Sequence, residues 1–383
     1  MFTPSTTPEP SDNYSKTTTT DKVKIIVSPE LLPLIKSKSK GELYGHLSSD
    51  DKARVAIVTA FAKSPSYFLD QYKVLGVLGF GSNGVVLGAR HYASHQSVAI
   101  KVIYKSYPSA FEEFPSEIEI LKELATSLTS TLLYLDSWQD THHFYIVTQL
   151  FGTNWLQNVP QSRLPPMLFQ SVSNGITQTH KFAFSSGSCD LWAWQNAMRG
   201  HQRNTEGHTL LPYHPVKHII RETARALQSL HQAGYYHGDI KVENILVEND
   251  VALGDCAYPK VLLADMGHAN TIDHGMLRYG TNEVSPPEFL KDSPFSHIDG
   301  RSADVFALGI VLFVLLSELG TLPTRLLGAT YKYLIKVDDG RYLFDDLDMD
   351  DGAWDLLNAM CWVDPTRRIS LDDILKHPWL NSE

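Results

Sequence analysis

The segment at residues 237–247, HGDIKVENILV, indicates the fold of this sequence most clearly. It carries four polar residues at short spacing: His237, Asp239, Lys241 and Asn244. The apolar run VLLADMG follows at residues 261–267 and contains Asp265. Carboxylate and amide oxygens are ligands that Mg²⁺ prefers, and a lysine beside an aspartate can contact a phosphate. Each aspartate alone also fits a helix cap or a turn, but the ordered combination indicates a site for a metal ion and a phosphate.

A glycine-rich turn lies upstream of this segment. Residues 78–86, LGFGSNGVV, place Gly79, Gly81 and Gly84 in the pattern G-x-G-x-x-G between two β-rich runs. Because glycine lacks a Cβ atom, backbone N–H groups of such a turn can lie over the phosphates of a nucleotide. The same three glycines also fit a plain hairpin. A dinucleotide-binding fingerprint would need a helix at the point where the strand GVVLGAR follows.

A lysine and a glutamate follow the turn. Lys101 lies in the next β-rich run, SVAIKVIYK, with apolar residues on both sides. Taken alone, a strand lysine is more often a surface residue whose charge reaches solvent. A buried ammonium needs a partner, because an unpaired buried charge is costly. Glu117 can supply it, from the helical segment SEIEILKEL in which Ile118, Leu121 and Leu124 share one face.

Taken in order, these motifs resemble those of the eukaryotic protein kinase family: the glycine-rich turn, VAIK, a helix glutamate, H-x-D-x-K-x-x-N and D-x-G. Downstream, PPE at residues 286–288, DVFALG from Asp304 and DPTRR at residues 364–368 stand where the family has further motifs. HPWL, which ends at Leu380, is similar to the last helix of the calcium/calmodulin-dependent and AMP-activated branch. HGDIKVEN and the segment DLWAW are most similar to fungal relatives of PAS-domain kinases.

The resemblance implies an α+β fold with two lobes, a small antiparallel β-sheet lobe with one helix and a large, mainly helical lobe. Composition and resemblance together divide the chain into five parts: a disordered Ser/Thr/Pro-rich tail at 1–21, an N-terminal extension of unknown role at 22–67, a small lobe at 68–150, a hinge insertion at about 152–188 and a large lobe at 189–381. The insertion has no sustained period, which predicts a long loop. The apolar patches of the N-terminal extension predict a strand and a helix packed against the neighbouring domain.

The resemblance also implies catalytic roles. Lys101, held by Glu117, would orient the α- and β-phosphates of ATP. Asp239 would accept the proton of the substrate hydroxyl. Lys241, in the form that serine/threonine kinases have in this loop, would stabilise the γ-phosphoryl group during transfer. ATP and Mg²⁺ are therefore the expected cosubstrate and cofactor.

Other residues would bind the metal, the nucleotide and the substrate. Asn244 and Asp265 would hold Mg²⁺. The nucleotide would contact the glycine-rich turn, an apolar adenine pocket, a gatekeeper and a hinge: Gly79, Gly81, Gly84, Val86, Ala99, Leu246, Thr148, Gln149, Leu150 and Phe151. Glu243 and Asp190 match positions where family members that favour basic peptides present carboxylates to arginines before the phosphorylated residue. An exposed glutamate can equally be solvated.

Five residues depart from the family pattern: Gly238, Met266, Val284, Pro286 and Phe306. None of them removes a group that handles phosphate, metal or proton, so a protein serine/threonine kinase is the predicted function. One alternative is a pseudokinase that acts as a scaffold or binding module, which Gly238, Met266 and the altered SPPE at residues 285–288 favour. Another is a kinase for small molecules, which the complete helical lobe disfavours.

The loop between Asp265 and Glu288 lacks an obvious site for a regulatory phosphate. Gly238 stands where the family has an arginine that binds such a phosphate, and Arg278 is the one strongly basic residue of the loop. We therefore expect that packing orders this loop and that the kinase is active without phosphorylation of the loop. The alternative is a substitute basic group from the Glu117 helix or from the N-terminal extension.

The amino-acid composition excludes several further classes of protein. The chain has 383 residues, with 33 Lys and Arg against 43 Asp and Glu, and its net charge of −10 argues against a nucleic-acid-coating protein. Three scattered cysteines (Cys189, Cys256 and Cys361), no apolar signal core and no bilayer-length apolar run predict an intracellular protein, cytoplasmic or nuclear, without membrane insertion. We expect a monomer whose partners are protein substrates.

Two further motifs have simple interpretations. His142 and His143 in DTHHF are predicted to be solvated turn residues, because the sequence offers no further metal ligands near them. The acidic run at residues 345–351 is predicted to be an exposed loop rather than a calcium site, since it lacks the glycine and terminal glutamate of an EF-hand.

Overall fold

The computed structural model describes most of the chain: residues 23–36, 43–109, 112–152, 164–184, 190–207, 209–248, 258–276, 279–281, 284–289, 298–317 and 349–382. The predictions for residues 1–21, Cys189, Cys256, Arg278 and residues 345–348 lie outside the described residues.

The N-terminal extension folds onto the small lobe. It contains one strand and two helices: β1 (Lys24–Val27), α1 (Leu31–Lys36) and α2 (Ser49–Lys63). Ser48 caps α2, because its Oγ accepts a hydrogen bond from the Asp51 N–H group. Ala53, Ile57 and Phe61 of α2 are buried in the same core as the sheet of the small lobe. The predicted strand and helix are therefore present and packed against the neighbouring lobe.

The small lobe is built on five antiparallel strands in the order β2-β3-β4-β6-β5: β2 (Tyr72–Phe80), β3 (Gly84–His91), β4 (Ser97–Tyr104), β5 (Tyr134–Gln139) and β6 (His143–Gln149). Successive side chains of a strand face opposite sides of the sheet. Val85 and Leu87 of β3 are accordingly buried in the core shared with α2, whereas Val86 lines the space between the lobes. The sequence analysis missed β5, whose residues YLDSWQ lack a run of apolar side chains.

The single helix of this lobe is α3 (Ser116–Leu124). Ile118, Leu121 and Leu124 are buried on one face of it, as their spacing predicts. They pack into the core of the large lobe rather than into the core shared with α2. α3 therefore links the two lobes.

The hinge insertion contains a β-hairpin and not the predicted long loop. Strands β7 (Met167–Ser173) and β8 (Ile176–Phe182) are joined at Asn174 and Gly175, whose φ angles are 50° and 75°. β1 pairs with β7, which gives a three-stranded sheet in the order β1-β7-β8. Asn-Gly between two β-rich runs is a strong hairpin signal, and the polar composition of the surrounding residues masked it.

The large lobe consists mainly of helices: α4 (Leu191–Thr205), α5 (Tyr213–Gln232), α6 (Gly300–Leu316), α7 (Asp351–Met360), α8 (Leu371–Lys376) and α9 (Pro378–Asn381). α6 is apolar on all sides and is buried along almost its whole length. None of the helices in the described ranges is both long and apolar enough to cross a membrane.

Two short antiparallel strand pairs complete the large lobe, β9 (Tyr235–Tyr236) with β12 (Asn270–Thr271) and β10 (Ile245–Glu248) with β11 (Lys260–Leu263). These pairs flank the HGDIKVEN segment and the segment that follows Asp265. The helices and antiparallel sheets of both lobes agree with the predicted α+β class.

His143 is not the solvated turn residue that the sequence predicted. It is fully buried, and its Nε2 lies 2.5 Å from the hydroxyl of Tyr44 in the N-terminal extension. Asp140 organises the turn by accepting hydrogen bonds from the N–H groups of His142 (2.7 Å) and His143 (3.0 Å). The prediction was wrong because nothing in DTHHF indicates that residues from another part of the chain cover this end of the sheet.

Candidate active site

A cavity of about 1050 Å³ lies between the two lobes. The small lobe supplies its roof, which includes the glycine-rich turn between β2 and β3. The large lobe supplies its floor, from residues 239–246 and 264–268. All the residues that the sequence analysis assigned to catalysis, nucleotide binding, metal binding or substrate binding line this one cavity.

Lys101 contacts one carboxylate of its own lobe, Glu117, and one of the floor, Asp265. Its Nζ lies 2.6 Å and 2.9 Å from the two carboxylate oxygens of Glu117 and 2.8 Å from Oδ1 of Asp265. Lys101 is central in β4, opposite Val86 on one side and Ile146 on the other, so two neighbouring strands fix its backbone. The structure thus brings together the lysine and glutamate that the sequence analysis paired.

The charges in this cluster shift the pKa values of its members. Burial by itself would lower the pKa of the Lys101 ammonium, but Glu117 and Asp265 outweigh burial and raise that pKa above its usual value. Lys101 in turn holds the pKa of Asp265 well below its usual range. Both groups are therefore ionised at neutral pH, which places a fixed cation beside a fixed carboxylate.

The backbone before Asp239 is anchored to α6. The buried carboxylate of Asp304 accepts hydrogen bonds from the N–H groups of His237 (2.8 Å) and Gly238 (2.9 Å). Asp304 belongs to the DVFALG motif, so the two motifs are in direct contact. This anchor positions Asp239 at the cavity wall.

Asp239, Lys241 and Asn244 form a polar cluster on the floor. Oδ2 of Asp239 accepts hydrogen bonds from Lys241 Nζ (2.8 Å) and Asn244 Nδ2 (2.9 Å). Lys241 also donates to the hydroxyl of Thr281 (2.7 Å). The second oxygen of Asp239, Oδ1, is buried and accepts no hydrogen bond from a described residue. Gly280 lies against it, since a Cβ there would come within 2.8 Å of this oxygen.

The conformation of Gly238 accounts for its departure from the expected arginine. Its φ angle is 76°, and a Cβ at this position would lie 2.6 Å from the His268 carbonyl oxygen and 2.7 Å from Cε of Met276. Any residue with a side chain would be strained in this backbone conformation and would displace the segment after Asp265. Met266, another departure, is fully buried and fills core space.

The glycine-rich turn leaves open space on the roof. A Cβ at Gly79 or Gly81 would meet no atom of a described residue within 4 Å, so the packing of the described residues does not require glycine at either position. Gly84 differs, because a Cβ there would lie 2.7 Å from the carbonyl oxygen of Val102 on β4. A hydrogen bond of 2.9 Å from Gly81 N–H to Gly84 O closes the turn.

Asp190 and Glu243 place two acidic side chains on the cavity wall. Asp190 caps α4 by accepting a hydrogen bond of 2.8 Å from the Ala193 N–H group. Burial raises the pKa of Asp190 to about 7, and the nearby charge of Glu243 adds to this increase. Glu243 itself is exposed.

The cavity also contains residues that sequence analysis missed. Gly280 and Thr281 contact the Asp239 cluster, and the triplet YGT was the available signal. Tyr44 and Lys52 reach the cavity from the N-terminal extension, where no motif marks them. These two residues reach the cavity only through the tertiary packing of the extension.

Comparison with known proteins relates part of this chain to a known family. Residues 191–380 match the family model for the protein kinase domain. The matched residues, just under half of the chain, are therefore similar to a protein kinase domain. The match begins at α4 and spans the large lobe, and the cavity lies between the matched residues and the β-sheet lobe before them.

Known serine/threonine kinases resemble the chain over different lengths. The probable serine/threonine-protein kinase KCC4 of Saccharomyces cerevisiae is 25% identical over 336 residues, which cover 84% of this chain and 27% of that protein. The serine/threonine-protein kinase PKZ1 of Phytophthora infestans is 31% identical over 187 residues, or 44% of this chain and 45% of that protein. Calcium/calmodulin-dependent protein kinase type 1 of Caenorhabditis elegans is 28% identical over 171 residues, or 43% and 46% of the two chains.

The chain spans less than half the length of each of these relatives. The matched residues and the names of these relatives support the predicted enzyme class, protein serine/threonine kinase. The position within the calcium/calmodulin-dependent and AMP-activated branch, near fungal PAS-domain kinases, stays a prediction.

Proposed function

We propose that this protein is an ATP- and Mg²⁺-dependent kinase that transfers the γ-phosphoryl group of ATP to serine or threonine hydroxyls of protein substrates. The observation that carries the proposal is the meeting of two charged clusters in one cavity. Lys101, Glu117 and Asp265 form one cluster, and the neighbouring cluster centres on Asp239 and Lys241. Phosphoryl transfer requires this combination, because its catalysis rests on positioning and on neutralisation of charge.

The roof has the features that a nucleoside triphosphate needs. Open space at Gly79 and Gly81 leaves room for phosphates close to the backbone. We assign the adenine to the apolar side chains of Val86, Ala99 and Leu246, which line the cavity. Buried Thr148 and the following hinge, Gln149, Leu150 and Phe151, would contact the edge of the base.

The donor groups of Asn244 and Asp265 fit Mg²⁺. Nδ2 of Asn244 donates to Asp239, which turns its carbonyl oxygen away from that carboxylate. Asp265 is ionised beside Lys101, and hard oxygen donors of this kind suit Mg²⁺. When bound, Mg²⁺ would neutralise phosphate charge.

Asp239 is the proposed acceptor of the substrate proton. Its buried Oδ1 has no hydrogen-bond donor among the described residues, while Lys241 and Asn244 hold Oδ2. The proton of the serine or threonine hydroxyl would pass to this carboxylate as the hydroxyl oxygen forms its bond to the γ-phosphorus. Lys241 would stabilise the negative charge on the group in transit.

Transfer of labelled γ-phosphate from MgATP to a basic serine peptide tests the proposal. We expect wild-type activity, its loss in Asp239→Asn, and its retention in Asp273→Asn, a matched control at an exposed carboxylate of the same lobe. A wild-type protein that binds MgATP without transferring phosphate would favour the pseudokinase alternative. Phosphorylation of small alcohols in preference to peptides would favour a small-molecule kinase.

Several finer properties belong to the same proposal. The acidic wall at Glu243 and Asp190 supports substrates with basic residues before the phosphorylated residue. The segments HPWL and HGDIKVEN support the calcium/calmodulin-dependent branch and nearness to fungal PAS-domain kinases. Net acidity and few cysteines support an intracellular protein, cytoplasmic or nuclear, that does not bind nucleic acid, and we propose that it is a monomer.

A further inference from the structure

The N-terminal extension reaches the glycine-rich turn from the outer face of the sheet. Most of α2 packs in the core with Val85 and Leu87, the residues of β3 that face away from the cavity. Near the beginning of α2, Nζ of Lys52 lies 3.4 Å from the backbone carbonyl oxygen of Ser82 at the tip of the turn. Lys52 and Ser82 both lie at the boundary of the cavity.

The contact between Lys52 and Ser82 fixes the orientation of one peptide unit, the one between Ser82 and Asn83. The described chain contains no cis peptide bond, so the carbonyl of Ser82 and the N–H of Asn83 point in opposite directions. A cation that holds the Ser82 oxygen therefore fixes the Asn83 N–H group in the opposite direction, and Asn83 itself lines the cavity. The neighbouring atoms of the turn are already engaged, since Gly81 N–H donates to Gly84 O and Asn83 O accepts from Tyr104 N–H.

The extension that carries Lys52 is fixed at a second point. The N–H of Leu43 donates to the carbonyl oxygen of Ser106, just after β4, over 3.0 Å. Tyr44 is buried, with its hydroxyl at His143 and its ring centre 4.8 Å from that of Tyr104. These contacts and the buried face of α2 fix the helix, so the backbone of Lys52 is held in place.

We propose that Lys52 is a positioning residue of the nucleotide site, which holds the Ser82 carbonyl so that the Asn83 N–H group points toward the phosphates of ATP. This inference rests on the proposed kinase function. It adds a residue outside the kinase motifs and gives the N-terminal extension a role in substrate binding. The role would be specific to the phosphates, since the adenine is assigned to Val86, Ala99 and Leu246 and not to the tip of the turn.

Isothermal titration of the full chain with MgATP and, separately, with adenosine tests this role. Lys52→Met removes the cation, Lys52→Arg keeps one, and Lys63→Met is a matched control at an exposed lysine near the other end of α2. We expect Lys52→Met to weaken MgATP binding about three- to tenfold, a modest loss for a partly exposed charged hydrogen bond. Adenosine affinity and the melting temperature should stay unchanged, and the other two variants should behave like wild type.

Two results would overturn the positioning role alone. One is a wild type that prefers MgATP over adenosine while Lys52→Met keeps the full preference. The other is an equal loss of affinity for both ligands, which would indicate a general structural role for Lys52. A wild type that gains nothing from the phosphates would overturn the proposed kinase function together with this inference.

Discussion

The floor and the roof of the cavity position their functional groups by different means. On the floor, charged side chains are held by ion pairs, as in the 2.8 Å contacts of Asp239 with Lys241 and of Asp265 with Lys101 of the roof. On the roof, the glycine-rich turn has open space around it, and its tip meets the N-terminal extension over 3.4 Å. Fixed charges stabilise developing charge without reorganisation, so substitutions on the floor should cost more activity than substitutions on the roof.

Asp265→Asn should give the largest effect. The change removes a charge that would bind Mg²⁺ and leaves Lys101 paired with Glu117. We expect the rate of phosphoryl transfer to fall by more than about a hundredfold, roughly 3 kcal/mol in the barrier, with little change in melting temperature. Steady-state kinetics measure the rate, and unchanged kinetics would contradict the metal assignment.

A pair of glycine substitutions compares the packing of the floor with the packing of the β7–β8 hairpin. Gly238 on the floor and Gly175 in the β7–β8 hairpin have nearly the same φ, 76° and 75°. They differ in surroundings, because a Cβ at Gly238 would meet His268 and Met276, whereas one at Gly175 would meet nothing within 4 Å in the part of the chain that the structure describes.

We expect Gly238→Ala to lower the free energy of unfolding by about 3 kcal/mol, the sum of backbone strain and overpacking. Gly175→Ala should lower it by about 1 kcal/mol, from backbone strain alone. Denaturant unfolding of both variants measures the difference. Equal losses would mean that the floor is no more tightly packed at Gly238 than the hairpin is at Gly175.

The residues that lie in short motifs, on the floor and on the roof alike, were more accessible to sequence analysis than the contacts of the N-terminal extension. Asp239, Lys241 and Asn244 lie within six residues of one another, so local chain geometry brings them together and their spacing carries the signal. Lys101 and Glu117 were paired from the cost of an isolated buried charge. Each short segment carries its own signal, although tertiary packing brings the segments together in one cavity.

The missed features depend on contacts between distant segments. His143 is buried because Tyr44 covers it, and β1 pairs with β7 across the intervening lobe. Gly238 has a left-handed backbone and lies against His268 and Met276, which the sequence of the loop does not reveal. Such positions require the tertiary structure, since each is determined by what packs against it.

A third prediction concerns how the floor stays ordered without a phosphate. The segment after Asp265 is anchored by packing: Tyr279 is buried, its hydroxyl accepts a hydrogen bond from Ile240 N–H (2.7 Å), and Gly280 N–H donates to Gly238 O (2.9 Å). We therefore expect phosphatase treatment to change the transfer rate by less than about tenfold, or 1.4 kcal/mol. Mass spectrometry must show an unmodified segment, and a larger loss would mean that a phosphate orders it.

The smallest expected effect concerns substrate charge at the cavity wall. A solvated carboxylate contributes about 1 kcal/mol or less to an ion pair, because water screens its charge. Glu243→Arg should therefore raise KM about fivefold for a peptide with arginine before the phosphorylated serine. KM for the same peptide with alanine in place of arginine should not change. A wild-type preference for acidic peptides in a peptide array would contradict this assignment.

Asp190 gives the preference for arginine a pH dependence. Burial raises its pKa to about 7, so the side chain changes from mostly neutral to mostly ionised as pH rises through neutrality. Only the ionised carboxylate attracts a guanidinium group, so the ratio of KM values for the alanine and arginine peptides should increase between about pH 6 and pH 8. Asp190→Asn keeps an acceptor for the Ala193 N–H group at the start of α4 and removes the titration. The variant should fold normally and lose this pH dependence, and if the dependence persists in full, a group other than Asp190 produces it.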